Sequence, residues 1–267
     1  MNYVQLNISA TEIQQEILIG LLSQYAVIGF EQLSESLLVY FDEAHLPITE
    51  IRKELEGYTY EWNVLKEENW NALWESNFDP VTINNFCGIR AHFHQPLLDV
   101  EHEIIITPKM SFGTGHHDTT FLMVEQMSAL DFTNKRVLDF GTGTGVLSIL
   151  AEKLGASSVL AIDNDEWSIE NARENFDRND CQKIDLQLTS TVPEGTYDVI
   201  LANINKNVLL QNAVALYHES SIPSTLLLSG LMPEDEKEIK IAFEQSGFHF
   251  ESQKATPHWI SLLFLKS

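Results

Sequence analysis

The stretch Val137-Leu138-Asp139-Phe140-Gly141-Thr142-Gly143-Thr144-Gly145 runs an apolar strand into three alternating glycines and on into the helical pattern VLSILAEKLG. Glycines in such a turn let a ligand approach the backbone at the carboxyl end of a strand. The next apolar run, SVLAID, ends in Asp163, 22 residues after Gly141. A carboxylate there can accept hydrogen bonds from both hydroxyls of a ribose. The glycine spacing discriminates among nucleotide folds. A dinucleotide fingerprint GxGxxG starting at Gly141 needs glycine where Val146 stands, and a P-loop needs a lysine that does not follow these glycines. A glycine turn with an acid on the following strand, and no phosphate-binding device, suits a ligand with a ribose and no phosphates. S-adenosyl-L-methionine is that ligand, and Gly141, Gly143 and Asp163 are expected to bind it.

Two further segments carry candidate chemistry. The strand pattern DVILANI ends in Asn203, which a parallel sheet would bring to the same carboxyl edge, so its amide or carbonyl could contact the methionine part or an acceptor amine. The residues after it, Asn203-Ile204-Asn205-Lys206, lack the Pro-Pro-aromatic run with which many base-amino methyltransferases stack a flipped base. The second segment, Phe112-Gly113-Thr114-Gly115-His116-His117-Asp118-Thr119-Thr120, is another glycine loop. It precedes the helix pattern FLMVEQMSAL, which Asp118 or Thr119 could N-cap. His116, His117 and Asp118 raise the idea of a metal site, as do His92 and His94 on one strand face. Adjacent ligands do not make converging tetrahedral geometry, and no metal is expected.

The elements that must position these residues follow from periodicity. From residue 80 onward a β-rich entry, VTINNFCGIRAHFH and EIIITPKM, leads into alternating apolar strands and amphipathic helices. That pattern implies a seven-stranded, mostly parallel, Rossmann-like sheet covered on both faces, with FHFESQKA and WISLLFLK pairing as an antiparallel hairpin at its end. Before it, residues 3–8 alternate as a strand, and Thr11 N-caps a helix carrying Ile13, Ile17, Leu18, Leu21 and Leu22. A turn at Gly29 leads into FEQLSESLLVYFDE, which is one strand or a hairpin. The helix ITEIRKELEG and the strand YTYEWNVLK complete a small α+β module resembling a ferredoxin-like unit, over residues 1–63. ENWNALWESNFDP, with Trp70 and Trp74 at helical spacing, serves as a connector over 64–79.

Composition narrows the class. With 39 Asp+Glu against 16 Lys+Arg the net charge is −23, which disfavours direct nucleic-acid binding and suits a basic protein partner. No run of apolar residues approaches a membrane span, the start lacks the features of a signal peptide, and Cys87 and Cys181 form no disulfide framework. A cytoplasmic monomer is expected.

The combination of FGTGHHDTT, LDFGTGTGVLSILAEKLGA, VLAIDND and DVILANI resembles the ribosomal protein L-eleven methyltransferase family, also called PrmA, over nearly the whole chain. His116 and Asp118 stand where many members have Thr and Pro. The resemblance implies an S-adenosylmethionine-dependent α/β methyltransferase that acts on lysine ε-amines and the N-terminal α-amine of that basic ribosomal protein. By the same resemblance Thr120, Gly141, Asp163 and Asn203 are cofactor positions and the N-terminal module recognises the substrate. Asn203, ending its strand where cofactor and acceptor amine would meet, is the catalytic candidate. No general base is named, His117 being the one candidate for that role. Methylation of another protein, a small molecule or nucleic acid, or a binding module without turnover, are the alternatives at this point.

Overall fold

Strict alternation of apolar side chains shapes the first part of the chain in the computed structural model, which describes residues 3–43, 46–65, 79–109 and 111–267. The chain divides into two compact units, Met1–Phe78 and Asp79–Ser267. In the first, β1 (Tyr3–Ser9), α1 (Glu12–Leu22), β2 (Val27–Gln32), β3 (Ser36–Asp42), α2 (Ile48–Glu54) and β4 (Thr59–Leu65) follow in order. The strands pair antiparallel in the order β2-β3-β1-β4. Leu37, Val39 and Phe41 of β3 meet Leu6 and Ile8 of β1, Leu18 and Leu22 of α1, and Ile51 of α2 in one core, as period-two strands with one buried face require.

Two details differ from the expectation. FEQLSESLLVYFDE forms a hairpin of β2 and β3, one of the two forms expected, but Gly29 lies inside β2 at a register irregularity rather than in a turn. Helix α1 starts at Thr11, whose backbone N–H is accepted by Gln14 Oε1 at 2.9 Å. Its buried face, however, is Gln15, Leu18 and Leu22, while Ile13 and Ile17 are 75% and 59% exposed. Gln15 can lie in the core because its Nε2 donates to the carbonyls of Ala10 and Leu33. The connector helix expected around Trp70 and Trp74 lies outside the described residues.

The second unit opens with a three-stranded sheet, β5 (Val81–Ile83), β6 (Cys87–Ala91) and β7 (His102–Ile106), where β6 runs antiparallel to β5 and parallel to β7. Arg90 clamps it by a two-pronged pair with Glu103, at 2.8 and 3.0 Å. Next come α3 (Asp118–Met127), β8 (Arg136–Phe140), α4 (Val146–Lys153), β9 (Ser158–Asp163), α5 (Glu166–Arg178) and β10 (Ile184–Leu188). The unit ends with β11 (Tyr197–Asn203), α6 (Lys206–Glu219), β12 (Ser220–Leu231), α7 (Glu236–Ser246), β13 (His249–Ala255) and β14 (Ile260–Lys266). Their sheet has seven strands in the order β10-β9-β8-β11-β12-β14-β13. The pairs from β10 to β12 are parallel, and β14 inserts antiparallel between β12 and β13. Leu138, Ile200, Leu226 and Phe264 from four of these strands join Leu209 of α6 and Phe243 of α7 in one core, an α/β arrangement with a mixed sheet.

The order places the topological switch beside β8: the chain leaves it to build β9 and β10 on one side, then returns to lay β11 on the other. Open α/β sheets bind ligands in the crevice at the strands' carboxyl ends there. Phe140 pairs with Ile162 of β9 and with Ala202 of β11, so the next residues of all three strands, Gly141, Asp163 and Asn203, share one level of the sheet.

Candidate functional site

At that level the chain turns through glycines because no other residue fits. Gly141, Gly143 and Gly145 all have positive φ. A Cβ on Gly141 would collide with the Ile204 side chain, and one on Gly143 with the carbonyl oxygen of Phe112. The second clash is with backbone and has no flexible group to give way. The amides of Gly141 and Thr142 both donate to the Ile162 carbonyl at 2.9 Å, which pins the turn to the end of β9.

Asp163 faces this turn. Its Oδ2 accepts the Gly143 N–H at 2.9 Å and its Oδ1 the Asp165 N–H at 3.1 Å. Each carboxylate oxygen keeps a second lone pair, so the group is oriented by backbone and still able to take two ligand hydroxyls. Asn203, 8% exposed, lies on the other side of the turn. Its Nδ2 donates to Thr120 Oγ1 at 3.5 Å, and its buried Oδ1 has no partner. A buried amide oxygen without a donor is costly and points to a ligand N–H or O–H.

These groups border a cavity of about 610 Å³, lined by Gly141, Gly143, Asp163 and Asn203, a volume typical of small-molecule sites. Thr120 borders a smaller neighbouring void that also touches Gly141 and Asn203. Part of the lining is aromatic, with Phe112, His117 and Trp259 all bordering the main cavity. The His117 ring centroid is 5.0 Å from that of Phe112 and 4.7 Å from that of Trp259, both edge-on. Asp163 is the one acid among the described residues lining this cavity.

His117, rather than Asp118 or Thr119, is the N-cap of α3. Its Nδ1 accepts the Thr119 N–H at 3.3 Å and lies 2.8 Å from Thr119 Oγ1, while Asp118 is already helical. An Nδ1 that accepts puts the neutral ring's proton on Nε2, which makes Nε2 a donor. The cap therefore argues against His117 as a base. Among the described residues no group of three or more His, Cys, Asp or Glu is gathered as a metal site.

The model of the ribosomal protein L11 methyltransferase (PrmA) family matches residues 3–267. The chain belongs to that family. Among its relatives, the ribosomal protein L11 methyltransferase of Porphyromonas gingivalis is 41% identical over 208 residues, covering 76% of this chain and 69% of the relative. That of Bacteroides thetaiotaomicron is 32% identical over 280 residues and 95% of both chains. The crystal structure of ribosomal protein L11 methylase from Lactobacillus delbrueckii subsp. bulgaricus is similar with a TM-score of 0.66 and 29% identity, covering 71% of this chain and 100% of that one.

Within this member of the methyltransferase family the structure brings Gly141, Gly143, Asp163 and Asn203 to one cavity and Thr120 against Asn203. Sequence reasoning missed Trp259, Gln211 and Thr189 among the lining residues. No signal within the sequence marked Trp259; the strand order places it. Ile260 pairs with Leu231, near the carboxyl end of β12, because an antiparallel strand starts where its parallel-running neighbour ends. The residue before it must therefore reach the ligand edge.

Below the turn, Asp139 is fully buried. Its Oδ2 accepts from Thr142 Oγ1 at 2.7 Å and Ser148 Oγ at 2.6 Å, and its Oδ1 has no partner. Burial pushes its pKa up to about 6, with the two hydroxyls working against the shift and the Asp163 charge adding to it. Between about pH 4 and pH 6 the folded state holds a proton that the unfolded chain has released, so this group's contribution to stability falls as pH rises through that window and levels off above it. Denaturant unfolding of wild type and Asp139→Asn across pH 4–7 is expected to show wild type losing up to about 3 kcal/mol relative to the variant. A flat difference would reject this assignment.

Proposed function

We propose that this chain transfers methyl groups from S-adenosylmethionine to amines of ribosomal protein L11, both lysine ε-amines and the N-terminal α-amine. The observation that carries the reading is that the glycine turn, Asp163 and the unpaired Oδ1 of Asn203 meet at one level of the sheet, in a member of this family. The strand order, with its switch beside β8, supports a Rossmann-like methyltransferase sheet, and the βαββαβ order of the first unit supports a ferredoxin-like substrate-recognition module over residues 1–63. A ribosomal substrate fits work in the cytoplasm. Among the described residues no helix is long and apolar enough to cross a membrane.

The residues fit the cofactor. Asp163 has two free lone pairs for ribose hydroxyls, the backbone at Gly141 and Gly143 can be approached closely, and Thr120 and Asn203 would border the methionine end. When bound, S-adenosylmethionine supplies a methyl group activated by the sulfonium charge. The protein must present an amine with a free lone pair, whereas lysine, at a pKa of about 10.4, is almost wholly protonated at neutral pH. The wall of Phe112, His117 and Trp259 removes water from the acceptor side, which favours the neutral amine. Asn203 Oδ1 can accept an N–H of that amine and so aim its lone pair. Orientation of this kind supplies much of the acceleration without a dedicated base, and with His117 Nδ1 used in the cap none is assigned.

Asn203→Ala is expected to lower turnover by about tenfold to hundredfold, the range for one hydrogen bond to a group gaining charge, and to change cofactor affinity much less. Equal losses in steady-state kinetics and calorimetry would make the residue a binding group alone. The function itself is tested by mass spectrometry of unmodified ribosomal protein L11 incubated with the enzyme and methyl-labelled cofactor. Label is expected on amine-bearing residues, and a protein that binds cofactor yet leaves L11 unlabelled ends the proposal.

A further inference from the structure

The aromatic wall depends on a loop with little structure of its own. Residues 111–117 carry Phe112 and His117 and contain neither helix nor strand. Two hydrogen bonds tie this loop to the glycine turn, and both come from one residue. The Thr144 N–H donates to the Phe112 carbonyl at 2.9 Å, and Thr144 Oγ1 donates to the Gly113 carbonyl at 2.6 Å. Thr144 is fully buried, and its own carbonyl accepts from Asn175 Nδ2 of α5 at 2.8 Å. Its neighbour Gly143 gives its N–H to Asp163. Asp163, Gly143, Thr144 and Phe112 thus form an unbroken chain of contacts, from the carboxylate that would hold the ribose to the wall that would receive the amine.

We infer that Thr144 is a positioning residue that clasps the acceptor loop to the cofactor turn, so that a bound nucleoside and a correctly placed acceptor wall favour each other. The proposal rests on the methyltransferase reading above. The hydroxyl and the amide of Thr144 act on successive carbonyls of the loop, which fixes both the position and the twist of Phe112. Ordering the turn by ligand contacts at Asp163 then orders the loop as well. By thermodynamic reciprocity, whatever the cofactor gains from an ordered acceptor loop, the acceptor gains from a bound cofactor.

The test uses the full chain with Thr144→Val, which keeps the branched shape and the backbone bond but removes the hydroxyl, and Thr144→Ser, which restores it. For Thr144→Val, S-adenosylmethionine affinity by calorimetry should stay within about twofold of wild type, while turnover on ribosomal protein L11 falls about tenfold, the size of one lost hydrogen bond. Hydrogen exchange of the amides of residues 112–117 should quicken, and the gain in L11 affinity caused by S-adenosylhomocysteine should shrink. Thr144→Ser should recover all three. The proposal is overturned by wild-type turnover and exchange in Thr144→Val, by a loss of cofactor affinity as large as the loss of turnover, or by a serine variant that behaves as the valine one. Absence of methylation by the wild type would sink the methyltransferase reading, whereas the exchange comparison would still decide the clasp.

Discussion

Residues 79–267 produced alone are expected to bind S-adenosylmethionine as the full chain does and to methylate ribosomal protein L11 about a hundredfold more slowly, the order of advantage a tethered second binding module confers. Every described residue lining the cavity lies in this unit, and it has its own core, so cofactor binding should survive. The first unit has a separate core and ten acids in residues 1–61 against only Arg52 and Lys53. Glu16, Glu31, Glu35, Glu50, Glu54, Glu56 and Glu61 are all exposed. Such an acidic surface would attract a basic ribosomal protein over a Debye length of about 8 Å at physiological salt. Ile13 and Ile17, exposed one turn apart on α1, would add an apolar contact that charge alone would not supply. Association of the full chain should slow as salt rises, and Ile13→Ser with Ile17→Ser should raise KM for L11 while leaving kcat. A truncated enzyme as active on L11 as the intact chain would end the docking idea.

The candidate site was legible where the chemistry lies on consecutive residues. Gly141, Gly143 and Asp163 were readable because a strand that runs straight into glycines, followed by a strand that ends in an acid, has few other physical uses, and parallel pairing brings their ends level. Asn203 followed from the same logic. What depended on comparing alternatives of similar energy was not legible. Asp118 and Thr119 have side chains of types favoured at N-caps, yet His117 takes the position, held between two aromatic rings that no local preference encodes. Helix α1 has apolar residues on two adjacent faces, so its sequence could not say that Leu18 and Leu22 face the sheet and Ile13 and Ile17 face water. Trp259 reaches the cavity only because β14 inserts between β12 and β13, a choice of strand order that periodicity does not reveal.

Asp163→Ala should weaken S-adenosylmethionine binding by about tenfold to hundredfold. A hydrogen bond to a charged group contributes about 1.5–3 kcal/mol, and each 1.4 kcal/mol is about tenfold in Kd. Two effects add to the lost contact. The Gly143 N–H, now accepted by Asp163 Oδ2, would lose its partner, and the turn that must approach the ligand would loosen. The Asp165 N–H would lose Oδ1 as well, at the start of α5. Asp163→Asn separates these effects, because its one remaining carboxamide oxygen can keep a single backbone N–H while its NH₂ group cannot accept a ribose hydroxyl. Calorimetry on the three proteins should therefore rank wild type tightest, the asparagine variant intermediate and the alanine variant weakest. S-adenosylhomocysteine, which has the same ribose, should follow the same order. Methylthioadenosine keeps the ribose and lacks the amino-acid end, so it should lose the same factor at Asp163→Ala if that residue holds the ribose. An alanine variant that binds all three ligands as tightly as wild type would remove Asp163 from the ribose, and with it the reading of the whole glycine turn.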